Sequence, residues 1–448
     1  MERTTGKGFR YSSAALVAVC GLPLPLAAQV TDSSAVKAVS GSASVFTAAT
    51  HTRTDRASGT DTRTEPSVGV SGRIGGTLAN GANSLALQYG GTLETRRDTS
   101  DGDQTDRSSI TGASRYAYFD PAQPLDFNLG HTVSSVRNNT GFLVNPSSYD
   151  TRNTLSAGAG LRFYPGSLST LRFFGQAGQS FGSGDLNDDS SITAGAELTR
   201  RLSERSSASL TANRSWSDGS NVDQTIDSAQ LSYQRQLENG SFSVGAGNSW
   251  ATSEYPDNSK TDSDALTGFV TRSWVADQYS TSVQYNRRLS DQATDLSLNL
   301  PPDFSFLPDT VRLRDLVVND SLSISHSTDL LCNVCTLGLG VEASRLKSQI
   351  NGEKSYEYGA NASLGVQLTN LQRITFSYSW QGDTNDQAGT IVDQVHRFDT
   401  RWSRQLAENT EFAVGFNQSY LRRTLGDDQD QFAIRFELTH GFALMGQR

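Results

Sequence analysis

The C-terminal segment alternates without a break for eleven residues, and this constrains the fold more than any other feature. Phe432, Ile434, Phe436, Leu438, His440 and Phe442 share one face, while Ala433, Arg435, Glu437, Thr439 and Gly441 share the other. A period of two is a strand. Strands of globular proteins are usually about half as long, whereas a strand crossing a bilayer at a tilt needs roughly 9–11 residues. The expectation is an apolar face toward lipid and a polar face toward a wet interior.

The pattern recurs along the chain. Leu85, Leu87, Tyr89 and Leu93 alternate with Ala86, Gln88, Gly90 and Thr92. Leu155 to Phe163, Phe242 to Trp250, Tyr279 to Tyr285, Tyr356 to Leu368 and Ile374 to Trp380 do the same, with Ser, Gly, Gln, Asn, Thr and Arg on the inner positions. Those inner residues suit water better than a dry core, which argues against a soluble sandwich. Tight turns at Asn80 to Asn83, Asp120 to Pro124, Pro165-Gly166, Ser203 to Arg205, Glu238 to Gly240, Ala276-Asp277, Thr369-Asn370 and Ala407 to Asn409 alternate with longer polar loops. Those loops are expected at Asp55 to Glu65, Arg97 to Arg107, Asn138 to Asp150, Ser217 to Gln224, Glu254 to Asp262 and Gly382 to Thr390. Short periplasmic turns and long external loops are the layout of outer-membrane barrels. The fold class expected is therefore all-β: an antiparallel transmembrane β-barrel of about 18–20 strands. Segment Ala265 to Trp274 reads in either phase, and Ala43 to Thr54 is poorly apolar.

The N-terminus reads as a secretory signal: Arg3, Lys7 and Arg10 precede an apolar stretch from Ala14 to Leu26 and a small-residue cleavage region at Ala27-Ala28. This divides the chain into a signal peptide at 1–28, a periplasmic lead-in at 29–42 and a barrel at 43–448. The net charge of −9 becomes about −11 once the signal's net +2 is removed, which argues against a nucleic-acid partner. Acidic runs at Asp98 to Asp106, Asp185 to Asp189 and Asp427 to Asp430 read as solvated outer loops. The mean hydropathy of −0.45 is no objection to a membrane barrel, because alternate residues hide the lipid face.

Few residues point to chemistry. Cys332-Asn333-Val334-Cys335 falls in an expected periplasmic turn and reads as a disulfide clip, with a thiol switch as the alternative. His51, His131, His326, His396 and His440 lie at no metal-ligand spacing, and no cofactor is expected. No GxSxG elbow is present, so an enzyme is not expected. Glu94, Arg162, Glu197, Glu357, Arg435 and Glu437 fall in lumen phase and read as an internal ion-pair network, with a selectivity ring as the alternative. The connection from Leu289 to Arg312 is unusually apolar, with Leu300, Pro301, Pro302, Phe304, Phe306 and Pro308. It either folds inward and narrows a pore or lies against the rim or a neighbouring subunit.

Phe432 to Phe442 resembles the C-terminal assembly signal of outer-membrane proteins, although Ala443 to Arg448 follow its last aromatic. Phe119-Asp120-Pro121-Ala122-Gln123-Pro124-Leu125 and the stretch from Asn138-Asn139-Thr140 to Tyr149-Asp150 look like outer-membrane barrels associated with the PEP-CTERM/exosortase and exopolysaccharide systems of proteobacteria. The resemblance implies a Gram-negative outer-membrane location and a role near polysaccharide export. Expected partners are outer-membrane lipid and lipopolysaccharide, the barrel assembly machinery, and polysaccharide or export-system proteins. The expected function is a porin-like channel for exopolysaccharide or solutes. The alternatives are a non-conducting surface barrel and, with least support, an outer-membrane enzyme.

Overall fold

The computed structural model describes residues 37–445, apart from 100, 101, 103, 138–148, 183–188, 219–222, 256–258, 291–294, 298–309, 313–315, 330, 331, 333, 350, 351, 353, 386–390, 425 and 426. The chain climbs and descends in sequence order. The first hairpins are formed by β1 (Lys37–Arg56), β2 (Gly59–Asn80), β3 (Asn83–Arg97), β4 (Gln104–Phe119), β5 (Leu125–Arg137) and β6 (Tyr149–Gly166). Then come β7 (Ser169–Gly182), β8 (Asp189–Ser203), β9 (Ser206–Asp218), β10 (Asp223–Leu237), β11 (Gly240–Glu254), β12 (Lys260–Ala276) and β13 (Tyr279–Ser290). Two three-residue strands, β14 (Asp295–Ser297) and β15 (Thr310–Arg312), lie in the next connection. The wall resumes with β16 (Val317–Thr328), β17 (Cys335–Ser348), β18 (Lys354–Thr369), β19 (Gln372–Asn385), β20 (Ile391–Ala407), β21 (Thr410–Arg423) and β22 (Asp428–Met445).

Each wall strand pairs antiparallel with its sequence neighbours, and β1 pairs with β22 from Val39↔Met445 to Asp55↔Asp428. The result is a closed barrel of twenty strands, with β14 and β15 outside the count. Closure leaves no edge strand, which a bilayer requires because lipid cannot hydrogen-bond an exposed backbone. An even strand number puts both ends of the described chain on the turn side. Gly81, with φ +57°, supplies the left-handed residue that the tight β2–β3 hairpin needs.

The outer face carries the apolar half of the alternation. Val45, Val68, Leu93, Leu231 and Leu266 are each more than half exposed. On β22 Ile434, Phe436, Leu438 and Phe442 are exposed while Arg435, Glu437 and Thr439 are half-buried on the inside. In water so much apolar surface would be costly, at about 25 cal/mol per Å². In lipid it is at home. Leu266 and Val270 face outward and Ala265 and Thr267 inward, which fixes the phase of β12.

Three details differ from the sequence expectations. β1 begins at Lys37, six residues before the expected start of the barrel, and those residues pair with Ile74 to Leu78 and with Arg73 of β2. Asp55 to Glu65 is a hairpin tip between Arg56 and Gly59, not a long loop. Beyond the bilayer both faces of a strand meet water, so apolar alternation fades while the ladder continues. Finally, Asp98 and Asp189 are buried on the inner face, where Arg63 and Arg152 reach them at 2.5 and 2.6 Å. They are not solvated loop carboxylates.

Candidate functional site: a pinched mouth over a charged lumen

Two ladders in the wall are short. β4 and β5 share eight residue pairs, from Gly112↔Val133 down to Phe119↔Asp126. β12 and β13 share nine, from Gly268↔Arg287 down to Ala276↔Tyr279. Every other wall pair shares at least twelve. Both short ladders are intact on the turn side and open toward the loop side. Gly112 marks the first opening: its φ is +155°, and a Cβ there would run into the backbone of Gln88 and Tyr89. Above it, Gln104 to Thr111 of β4 pair with β3 alone among the described strands.

The second opening shows how the wall yields. Leu289 of β13 and Val318 of β16 have the phase of the outer face, which they share with Tyr285 and Leu322. Yet both are buried, in one cluster with Leu316 and with Ala251 and Ala265 from the inner faces of β11 and β12. An outward residue can meet an inward one only if its strand leans into the barrel behind its neighbour. The loop ends of β13 and β16 therefore tilt inward. Arg287 donates from Nε to the Leu266 carbonyl at 2.9 Å, which satisfies a β12 acceptor left without a β13 partner.

The connection between these leaning strands reaches toward the first opening. β14 pairs with β15, and β15 pairs in parallel with β5, Thr310↔Val136 and Val311↔Arg137. β5 lies eight strands from β13 around a twenty-strand wall, close to the opposite side. Twenty strands spaced about 4.8 Å apart at a tilt near 40° make a ring about 40 Å across. Yet only five residues lie between Val311 and Val317 at the head of β16, and the six Cα-to-Cα steps span at most about 20 Å. The loop ends of β5 and β16 thus approach each other across the mouth to about half the ring's width. Burial agrees: inward Arg152, Ser180, Ser253, Val395 and Leu421 are each 3% exposed or less, all near the loop end. The apolar loop residues Leu300, Pro301, Pro302, Phe304, Phe306 and Pro308 lie outside the described residues.

Below the mouth the lumen is polar and its charges are cross-linked. Arg162 and Arg172 both bind Asp126, at 3.1 and 2.6 Å, and Arg162 also lies 4.1 Å over the Phe119 ring. Glu197 stands opposite Arg172 in register and accepts from Thr199. Glu437 bridges Arg435 and Arg401, at 3.2 and 3.1 Å, and Arg435 covers Phe46 across the β1–β22 closure. Glu94 holds Arg96 at 2.9 Å, and Glu357 accepts from Ser344 at 3.3 Å. The six expected lumen charges thus fall into several separate clusters. Arg63, Glu65, Arg96, Asp126, Arg172 and Arg401, which sequence reasoning passed over, complete them; their signal was the shared inward phase.

Cys332 and Cys335 are joined by a disulfide across the β16–β17 turn. Each histidine contacts a hydroxyl on another strand through Nδ1: His51 with Thr64, His326 with Thr281, His396 with Tyr378 and His440 with Thr410 on the adjacent strand, and His131 of β5 with Tyr89 of β3, reaching across β4. The Tyr89 hydroxyl also donates to Ser114 Oγ at 2.9 Å. A Ser–Tyr–His cluster would invite a catalytic reading, but the same wall-bracing pair recurs at every histidine. No metal-ligating group of His, Cys, Asp and Glu occurs among the described residues.

A closed barrel with an apolar outer belt and a charged interior is a transmembrane barrel, and the bacterial outer membrane is its place. No family model and no curated protein sequence matches the chain. Solved structures similar to it include OpdQ of Pseudomonas aeruginosa, with 12% identity over 92% of this chain and 100% of that one and a TM-score of 0.37. OccAB1 of Acinetobacter baumannii has 12% identity over 91% and 97% of the two chains, with a TM-score of 0.35. The FrpB iron transporter of Neisseria meningitidis, F5-1 variant, has 9% identity over 91% and 83%, with a TM-score of 0.46. Likenesses this distant decide nothing about cargo.

Proposed function

We propose that this protein is an outer-membrane channel whose conductance is limited at its mouth. The carrying observation is the β15–β5 pairing, which links β5 to the leaning β13–β16 sector of the wall above a polar lumen. Pore walls lined by mutually paired charges stay wet without binding permeant ions tightly. The cargo class implied by the resemblance, a polysaccharide, is supported by the many Ser, Thr, Asn and Gln hydroxyls and amides on inner positions. The alternative, a non-conducting surface barrel, draws support from the dryness of Arg152, Ser180 and Ser253 at the mouth.

Single-channel recording of the purified, folded barrel in planar bilayers tests the proposal. Discrete openings are expected, and Val311→Pro, which interferes with the β15–β5 pairing, should raise unitary conductance at least twofold. Silence from both proteins would leave the surface-barrel reading. Equal conductance from both would remove the mouth as the limiting element.

A further inference from the structure

The inner wall is not uniform. On β9 to β13 and β16, which are consecutive in the wall, the inward positions are mostly Ser, Thr, Asn, Gln and Gly, and Arg288 is the one inward charge among the described residues. By contrast, β20 alone turns Asp393, Arg397, Asp399 and Arg401 inward. The neutral sector also holds one inward aromatic among its described residues, Phe269 of β12. A wall facing water has no need of an apolar ring, and leaving one wet costs about 25 cal/mol per Å².

Phe269 pairs with Gly245 of β11 on one side and with Asn286 of β13 on the other. A Cβ on Gly245 would run into the Phe269 ring, so the ring lies over that glycine and leans toward β10. One ring face covers this floor and the other is left to the lumen. Amides stand around it: Gln230 and Gln234 on β10, opposite Gly247 and Ser243, and Gln284 and Asn286 on β13. Nearby hydroxyls are taken up by each other, Ser209 with Ser232 at 2.7 Å and Ser241 with Ser273 at 2.8 Å. The four amides make no side-chain hydrogen bond among the described residues, and each can both donate and accept. From β10 to β13 is three strand spacings, about 14 Å.

We propose that Phe269 and these amides form a lumen subsite for a neutral glycan. The apolar face of a pyranose stacks on the ring, and the sugar hydroxyls exchange hydrogen bonds with Gln230, Gln234, Gln284 and Asn286. The surroundings set the class. With Arg288 the one inward charge on six strands, the carboxylates of an acidic glycan would lose water and meet no row of cations. The subsite also gives Gly245 a reason, because its missing side chain is what lets the ring lie flat. The inference rests on the polysaccharide reading of the cargo and not on conduction.

The test uses the full barrel in amine-oxide micelles, which carry no sugar, titrated calorimetrically with maltohexaose, cellohexaose and hexagalacturonate. At least one neutral hexamer should bind, and hexagalacturonate should bind about tenfold or more weakly. Phe269→Leu should weaken the neutral hexamer about tenfold, and the double variant Gln230→Ala/Gln234→Ala about as much. Phe174→Leu, which removes an inward ring of the charged sector, should change nothing. Heat-modifiable migration on gels checks that each variant is folded. Unchanged affinity in folded Phe269→Leu, equal or tighter binding of hexagalacturonate, or no binding of either neutral hexamer would each overturn the subsite. Conduction is read separately in planar bilayers. A conducting barrel that binds no hexamer keeps the channel and loses the subsite, whereas a silent barrel that binds one through Phe269 keeps the subsite and loses the channel.

Discussion

The β1–β22 seam and the β4–β5 seam are made of the same backbone groups, but they hold the wall very differently. The first joins the two ends of the barrel through seventeen residue pairs, and Arg435 lies 3.7 Å over the Phe46 ring across it. The second has eight pairs and opens above Gly112. A seam that joins the chain's two termini has no hairpin turn to hold it, so it needs a long ladder. A seam within a hairpin is already tied by its Asp120 to Pro124 turn and can open at the far end. Loosening is therefore concentrated where the connectivity tolerates it, and the β12–β13 hairpin repeats the solution on the other side. Between the two openings, the leaning ends of β13 and β16 and the β15–β5 pairing narrow the mouth.

The anchoring of the short seam is the first thing to break. Asp126→Asn removes the carboxylate shared by Arg162 and Arg172 at the base of β5. Arg162 is buried, so the loss should be about 3 kcal/mol in denaturant unfolding from detergent micelles. Gly112→Val comes next. The new side chain meets the backbone of Gln88 and Tyr89 in an unfavourable φ region, and about 2 kcal/mol should be lost, with amide exchange faster in β4 and β5 than at the β1–β22 seam. Glu437→Gln strikes the long seam's own network. Its partners Arg435 and Arg401 are partly exposed, so about 1 kcal/mol is expected, small because seventeen pairs remain. A larger loss than that of Asp126→Asn would reverse the comparison.

The smallest effect lies at the β9–β10 tip, outside the bilayer. Burial, reinforced by neighbouring Asp218, raises the Asp223 carboxyl above the usual carboxylate range. The folded state then binds a proton more readily than the unfolded one. Stability is therefore gained as pH falls through the raised value toward the ordinary one, and is lower above it. Asp223→Asn should stabilise the barrel at neutral pH by a few tenths of a kcal/mol after solvent screening, and the wild-type gain on acidification should vanish with it.

Much of this architecture was legible in the alternation. The outward phase of β22, the lumen phase of Arg162 and Glu437 and the turn at Asn80 to Asn83 all follow from a period of two and from turn chemistry. The openings were not legible, because they depend on strands eight places apart. Nothing in the sequence around Gly112 sets it apart from the chain's other glycines, and the period-two phase of Leu289 and Val318 is that of the outer face. Only their burial reveals the lean. Asp98 and Asp189 were misread for a related reason: a carboxylate at a strand end looks solvated until the guanidinium from another strand is in place. The Leu289 to Arg312 connection stands out in the sequence for its apolar character; β14 and β15 are described parts of it, and its apolar residues from Leu300 to Pro308 lie outside the described residues.

A pinched mouth requires β15 to lie beside β5. Val136→Cys combined with Thr310→Cys places a thiol pair at matched positions of that parallel pairing. The pinched mouth predicts that the two join under mild oxidation in the folded barrel, and that bilayer conductance then loses its fluctuations and regains them on reduction. Two thiols that stay separate and react independently with a bulky water-soluble maleimide would contradict it.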